Sequence, residues 1–384
     1  MLALGVVLAI VVGAILVLLF QGAAILFAYT MPLLGPAPPG PTSSKRVSVV
    51  LAARNEELDL PATLDGLLAQ DYPNLEIVVV DGGSTDGTRA VIDARAPRVR
   101  RLDEGALPTG WVGKNWACWT GALATAGEWL LFLDADVRTH PAAVRTVVDW
   151  AERENADLAS IAPTVEMVGF WERVVLPFYI QTVLTYFRAP RVNRDNSHTA
   201  IANGQFCLVR RTAYDRVGGH EAVRSYVLED VELARRLRQV RARLRFAQAP
   251  ELARTRMYRD RHEMFEGLVK NVHGGEFSGV RMVGFLVGLV SLFLLPLVVL
   301  PFGWWEGSLL LTGVGAFLWI ALFGKHVGFA KGVGAPPAYG LLYPLAVGFY
   351  LVLVSMSLVR GLRGRPVRWK GRTYDLIEAG HANR

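Results

Sequence analysis

Cysteine is almost missing: Cys118 and Cys207 are the only two in 384 residues, each beside an apolar or aromatic neighbour. They have no metal-ligand spacing and form no disulfide framework, so they read as reduced core residues of a cytosolic domain. No Gly-x-Gly-x-x-Gly follows a strand-like run, which excludes the usual dinucleotide fingerprint. A phosphate-binding P-loop is missing too. In Gly110-Trp-Val-Gly-Lys-Asn115 the leading glycine is misplaced, and Lys114 precedes Asn115 rather than Ser or Thr. Lys114 is left either as an anion contact in a Gly/Trp-rich loop or as a solvated surface lysine. There is no acidic excess: net charge is +7, with arginine far outnumbering lysine. Beside membrane segments such a bias points to anionic lipid and the cytoplasmic face rather than to nucleic acid.

What is present is apolar surface, 52% of residues with a mean hydropathy of +0.30, concentrated at the two ends. Leu2 to Ala28 is almost unbroken apolar and long enough to cross a hydrocarbon core of ~30 Å. A secretory signal would need a basic start, a shorter core and a small-x-small ending, and this stretch has none of them. It is expected to be a retained transmembrane helix over residues 1–30. A Pro/Gly-rich linker (31–46) follows, ending in Lys45 and Arg46. Positive charge after the helix and none before it places the next domain in the cytoplasm. Val280–Pro301, Leu309–Phe323 and Tyr339–Leu358 are the apolar stretches of a membrane region at 279–360, with Trp304-Trp305-Glu306 as an interfacial belt. Three simple crossings would put the basic tail (361–384) outside, whereas its charge favours the cytoplasm. One stretch is then re-entrant or interfacial.

Residues 47–278 have the composition of an α/β domain. Val47–Ala52, Glu76–Val80 and Trp129–Leu133 read as strands; Glu57–Ala69, Thr88–Ala96 and Pro141–Glu154 read as helices. Such alternation predicts a doubly wound, mostly parallel sheet whose ligands gather at the carboxyl ends of the strands. Polar features fall at those ends. Arg54-Asn-Glu-Glu57 follows the first strand. Asp81-Gly-Gly-Ser-Thr-Asp-Gly-Thr88 follows the second, its glycines permitting a tight turn and its Ser, Thr and Asp able to cap the next helix. The central run Trp129-Leu-Leu-Phe-Leu133 ends in Asp134-Ala-Asp136. Side chains alternate along a strand, so the two carboxylates leave on one side and can hold a hard divalent cation. The competing reading is a polar loop that merely starts with two aspartates.

Further on, Val165–Arg188 is aromatic-rich with few charges and fits either domain core or an interfacial helix. Ala202–Arg210 reads as a turn and short strand. Glu229-Asp230 opens a helix, where acidic residues also serve as dipole partners. Arginines crowd positions 235–261, which suggests a surface facing lipid headgroups.

In this order and spacing, Ala53-Arg-Asn-Glu-Glu57, Asp81-Gly-Gly-Ser-Thr-Asp86, Gly110-Trp-Val-Gly-Lys114, Asp134-Ala-Asp136, Asn203-Gly-Gln-Phe206, Glu229-Asp230 and Arg256-Met-Tyr258 resemble membrane-bound glycosyltransferases of family 2, GT-A type. The resemblance runs from Val47 to Lys270. It is nearest to hopanoid-associated, carotenoid and ceramide-type enzymes that modify lipids. It implies an inverting transferase in the cell membrane, multi-pass, with its catalytic domain cytoplasmic. One sugar would pass from a nucleotide-sugar, a UDP-sugar in the first instance, to a lipid acceptor (carotenoid, hopanoid, sphingolipid or glycerolipid). By the same resemblance Ala53, Arg54, Glu56 and Asp81 hold the nucleoside, and Lys114 and Asp134 the diphosphate. Asp134 and Asp136 bind Mg or Mn, and Asp230 is the general base. Asn203, Gly204, Gln205, Phe206, Glu229, Arg256 and Tyr258 lie on the acceptor side. Two departures matter: Gly82 stands where the family often has a second acidic residue, and no Gln-x-x-Arg-Trp is present. The second disfavours a processive polysaccharide synthase. A non-catalytic membrane protein binding nucleotide-sugar or lipid is the alternative from another class; no nucleic-acid partner is expected, and oligomeric state has no signal in the sequence.

Overall fold

A computed structural model describes residues 30–40, 43–274, 279–363, 367–369 and 372–374, with isolated positions between 12 and 22. The expected amino-terminal membrane helix and most of the basic tail lie outside the described residues. Two compact units divide the chain. One holds Met31–Glu166, Phe187–Met257 and the segment beginning at Val367; the other holds Met167–Tyr186 and Tyr258–Pro366 together with the amino terminus.

In the first unit the strands are β1 (Val47–Ala53), β2 (Leu75–Asp81), β3 (Arg100–Asp103), β4 (Trp129–Asp134), β5 (Val137–Thr139), β6 (Leu158–Ala162), β7 (Thr164–Val165), β8 (Phe206–Arg210), β9 (Leu244–Gln248) and β10 (Ala253–Thr255). The labelled helices of the chain, in order, are α1 (Leu60–Leu68), α2 (Thr88–Asp93), α3 (Gly113–Leu123), α4 (Ala143–Arg153), α5 (Phe170–Phe187), α6 (Glu229–Gln239), α7 (Arg261–Gly274), α8 (Gly279–Leu289), α9 (Leu295–Trp305), α10 (Leu309–Gly332) and α11 (Tyr343–Leu362). A seven-stranded sheet runs β3-β2-β1-β4-β8-β6-β9, and β5-β10-β7 form a small second sheet. The large sheet is parallel except at β8, which is antiparallel to both neighbours. The doubly wound expectation therefore describes the β1, β2 and β4 half, and the far half is mixed.

β4 is buried from Trp129 to Leu133, as a strand covered on both faces requires. Each large side chain so buried contributes roughly 1.5–3 kcal/mol. α3 packs unusually close: a Cβ on Gly121 would lie 2.4 Å from Val50 Cγ1 and 3.1 Å from Val80 Cγ2. That close approach on β1 and β2 sets the height at which α3 begins, and so the place of Lys114. Register then brings the strand ends level, with Ala53 opposite Asp81 and Ala52 opposite Asp134. Because β8 runs backwards, its first residue Phe206 pairs with Leu133 at the same edge. The Asn203–Gln205 turn is thereby delivered to the crevice.

The second unit is helical. α10 and the Pro337–Arg360 segment, 24 residues each, are long and apolar enough to cross a membrane. The Val280–Pro301 stretch is two helices of 11 residues, α8 and α9, separated by a π-helical turn at Val290–Leu294. Glycines let its helices meet backbone to backbone: a Cβ on Gly315 would lie 2.4 Å from Leu300 Cα, the small-residue contact typical of membrane helices. Outward faces carry Trp304, Trp305, Leu309 and Ile320, all at least 75% exposed. The aromatic Val165–Arg188 stretch becomes α5, with Pro177 inside it. All but the last residue of α5 falls in this unit.

Candidate active site

Ala135 turns into the core at the end of β4, where its carbonyl accepts the Thr63 hydroxyl at 2.7 Å. Asp134 closes β4 and Asp136 lies in the turn that follows it; both are half-buried on either side of the buried Ala135. The Lys114 ammonium lies 2.7 Å from Asp134 Oδ1 and 2.8 Å from Glu229 Oε1. Asp136 Oδ2 accepts the Thr255 hydroxyl at 2.9 Å. Among the described residues no three His, Cys, Asp or Glu side chains cluster with metal-ligand geometry. Two carboxylates flanking Ala135, one of them braced by a hydroxyl, are hard-oxygen donors of the kind Mg or Mn takes when a ligand's phosphates complete the shell. The residues fit such a cation.

α6 begins at Glu229. Its first turn holds Glu229, Asp230 and Glu232 and its last turn Arg236 and Arg238, so the dipole role of acidic residues at a helix start is also served. Asp230 does more than that. Its Oδ2 accepts the Gly204 N–H at 2.6 Å and its Oδ1 accepts the Val231 N–H at 2.8 Å. Burial, followed by the neighbouring Glu229 carboxylate, pushes the Asp230 carboxyl up to about 6, against the opposing pull of Lys114 and the two amides. For Lys114 the balance is reversed. Burial works against its charge, yet Asp134 and Glu229 outweigh it and hold the ammonium well above the usual lysine value.

Gly204 makes this junction possible. A Cβ there would lie 3.1 Å from Lys114 Nζ, 3.2 Å from Asp230 Oδ2 and 3.4 Å from Glu229 Oε1. Gly204→Ala is expected to displace these groups by a few tenths of an ångström and to cost up to ~10²-fold in turnover. Melting temperature should stay near wild type; unchanged turnover in the purified variant would refute the crowding argument. Asn203 and Gln205 build the turn. Asn203 exchanges hydrogen bonds with Ser160 through its backbone, and its Oδ1 accepts the Gln205 N–H at 3.0 Å. Phe206 is fully buried beneath them.

The residues expected on the nucleoside side are laced together across two loops. Gly82 N–H donates to the Ala53 carbonyl at 2.7 Å, and the Arg54 guanidinium returns a bond to the Gly82 carbonyl. Glu56 N–H donates to the Thr88 hydroxyl at 2.8 Å. The Asp81 side chain is fully buried, accepting the Ser84 N–H at 3.1 Å and Arg89 Nε at 2.6 Å. Burial alone would raise its pKa; Ser84 and Arg89 prevail and hold the carboxyl below the usual range. Asp81 therefore braces this turn. Arg256 is half-buried, directly after Thr255. Tyr258 is buried in the helical unit, its ring against Gly267.

Several neighbours were not singled out in the sequence. Glu104 is buried, and its Oε2 lies 3.3 Å from where a Cβ on Gly82 would stand. The Ala53 carbonyl and Arg54 Cβ stand at the same distance, so Gly82 has neighbours on three sides. The strand before Glu104, β3 with Arg100-Arg-Leu-Asp103, is too polar to show a strand pattern. His220 is buried against Phe132, its Nδ1 2.9 Å from the Tyr214 hydroxyl. Burial, aided by Lys114, pushes it down to about 3, so the imidazole is neutral. Burial likewise raises both thiols, Cys118 and Cys207, consistent with inert core residues. The arginine-rich stretch is partly spent inside the fold. Arg245 pairs with Glu154 and Asp195, and Arg238 donates to the Val192 carbonyl, while Arg241, Arg243, Arg254, Arg259 and Arg261 stay exposed.

Residues 48–218 match the family model described as Glycosyl transferase family 2. Over that range the chain is similar to family 2 glycosyltransferases. The matched range ends before Glu229 and Asp230, which the structure brings to the same crevice. Curated relatives are named 4,4'-diaponeurosporenoate glycosyltransferase. That of Staphylococcus haemolyticus is 24% identical over 65% of this chain and 68% of its own. That of Staphylococcus aureus (strain bovine RF122 / ET3-1) is 28% identical, and there the chain spans about half the relative's length, 50% against 49% of this chain. Among solved structures, a mannosyltransferase of Pyrobaculum calidifontis in complex with GDP-Man and Mn2+ aligns with a TM-score of 0.52 at 17% identity. It covers 91% of this chain and 99% of that one. That likeness is one of fold: the matched domain has the mixed α/β architecture of GT-A glycosyltransferases.

Proposed function

We propose that the protein is an inverting glycosyltransferase that moves a single sugar from a nucleotide-sugar, a UDP-sugar in the first instance, to a membrane lipid at the cytoplasmic leaflet. The observation that carries this reading is the convergence of Asp134, Lys114, Gly204, Glu229 and Asp230 on one crevice at the carboxyl edge of the sheet. Ala53, Arg54 and Glu56 frame the nucleoside side. Lys114 supplies positive charge for the diphosphate. A divalent cation held by Asp134 and Asp136 would neutralise the charge that develops on the leaving nucleoside diphosphate. Asp230 takes the proton of the acceptor hydroxyl as that oxygen bonds to the anomeric carbon and the bond to the diphosphate breaks. With a single displacement the anomeric centre inverts, and no enzyme nucleophile is needed. A carboxyl whose pKa lies near the working pH suits a general base.

The lipid acceptor is supported by the apolar helices and by the carotenoid-type relatives. Two membrane-length helices return the chain to the side it left, which would keep the basic tail cytoplasmic and leaves α8 and α9 as the re-entrant or interfacial stretch. Mass spectrometry of lipids from cells with and without the chain tests the proposal. One glycosylated lipid bearing a single hexose is expected to disappear on deletion. A polymer ladder would favour a processive synthase. An unchanged lipid profile, with no nucleoside diphosphate released by the purified protein, would favour a binding protein.

A further inference from the structure

Lys114 competes for a carboxylate that a cation also needs. Its ammonium touches Asp134 and Glu229 at 2.7 and 2.8 Å, and the position of a Cβ on Gly204 is 3.1 Å from Nζ. The cavity left among these groups is about 10 Å³, room for no more than about one water. A divalent ion on Asp134 would add positive charge to a carboxylate already neutralised by the lysine, and like charges a few ångströms apart in a half-buried site repel strongly. Nor does the lysine leave freely. Glu229 and Asp230 are adjacent carboxylates, and its withdrawal would expose their repulsion. A diphosphate changes the balance, since its oxygens accept both the ammonium and the divalent ion.

We propose that Lys114 is a placeholder cation. It keeps a bare divalent ion off Asp134 until a diphosphate enters and draws the ammonium onto its own oxygens. The inference rests on the reading of Asp134 and Asp136 as cation ligands, and adds that cation and donor bind as a coupled pair. Lys114 is then a positioning residue for the cation and a binding residue for the donor.

Mn2+ binding to the purified full-length protein without nucleotide, followed by loss of the free-ion paramagnetic resonance signal, tests this. Lys114→Met is expected to bind Mn2+ at least tenfold more tightly than wild type, and Lys114→Arg no more tightly than wild type. Adding Asp136→Ala to Lys114→Met should erase the gain. With UDP present the gain should vanish or reverse, because the diphosphate has lost a positive contact. Lys114→Gln, which keeps a donor toward both carboxylates, serves as the second neutral variant should the methionine variant fail to fold. Equal Mn2+ affinity in wild type and the neutral variants, with binding that depends on Asp136, overturns the placeholder role and leaves the cation reading standing. Affinity indifferent to Asp136 in every variant overturns both.

Discussion

Asp230→Asn is expected to slow sugar transfer by ~10² to 10⁴-fold while the protein remains folded. The carboxylate is buried beside Glu229 and Lys114 and held by two backbone amides. An asparagine of the same shape cannot take up the acceptor's proton. Two opposing effects bear on stability. The raised pKa means that folding disfavours the charged form, so the carboxylate imposes a penalty that grows between the unfolded value of ~3.9 and about 6 and is complete above that. Asparagine removes this penalty. It also turns an amide NH2 toward one of two N–H donors, leaving a buried polar clash that costs about 1–3 kcal/mol. The melting temperature at neutral pH should therefore move little while turnover collapses. Wild-type rate should fall as pH drops through about 6, as the base becomes protonated, and the residual rate of the variant should lack that limb. Normal turnover in a folded Asp230→Asn protein would remove the proposed base.

The second large effect concerns Asp136. If Asp136 is a direct ligand, as proposed, Asp136→Ala should cost more than the ~10–100-fold typical of losing an outer-shell partner of a metal. Wild type treated with chelator should lose transfer and regain it with Mn2+ or Mg2+. Thr255 anchors the Asp136 side chain at 2.9 Å, yet the strand beneath does not depend on that contact, so the alanine variant should fold. Chelator-resistant activity in wild type together with an active Asp136→Ala variant would sink the cation role. A folded variant with no transfer but intact Mn2+ binding would move the ligand role from Asp136 to another group.

Which parts of this were legible in the sequence follows from the range of the interactions. β1, β2 and β4 were readable to within a residue, because a strand covered on both faces must be a continuous apolar run. Asp134 was readable as the end of a buried strand, because the apolar run stops there. β3 and β6 were not read as strands, being polar or short, and the antiparallel insertion of β8 depends on pairing with distant strands. The break of the Val280–Pro301 stretch into two helices was equally hidden, since hydropathy measures burial and is blind to a π-helical turn or to Pro301.

By itself the sequence determined the residue types: a metal-competent carboxylate pair, a lone lysine in a glycine-rich loop, and an acidic pair at a helix start. Only the tertiary structure decided that Lys114 lies between Asp134 and Glu229, that Gly204 leaves the space for it, and that the buried Glu104 comes beside Gly82. The physical reason is distance along the chain. Charge pairing and steric exclusion act over a few ångströms, and the paired Lys114 and Glu229 lie 115 residues apart in the sequence, brought level by the register of the sheet and the reversed run of β8.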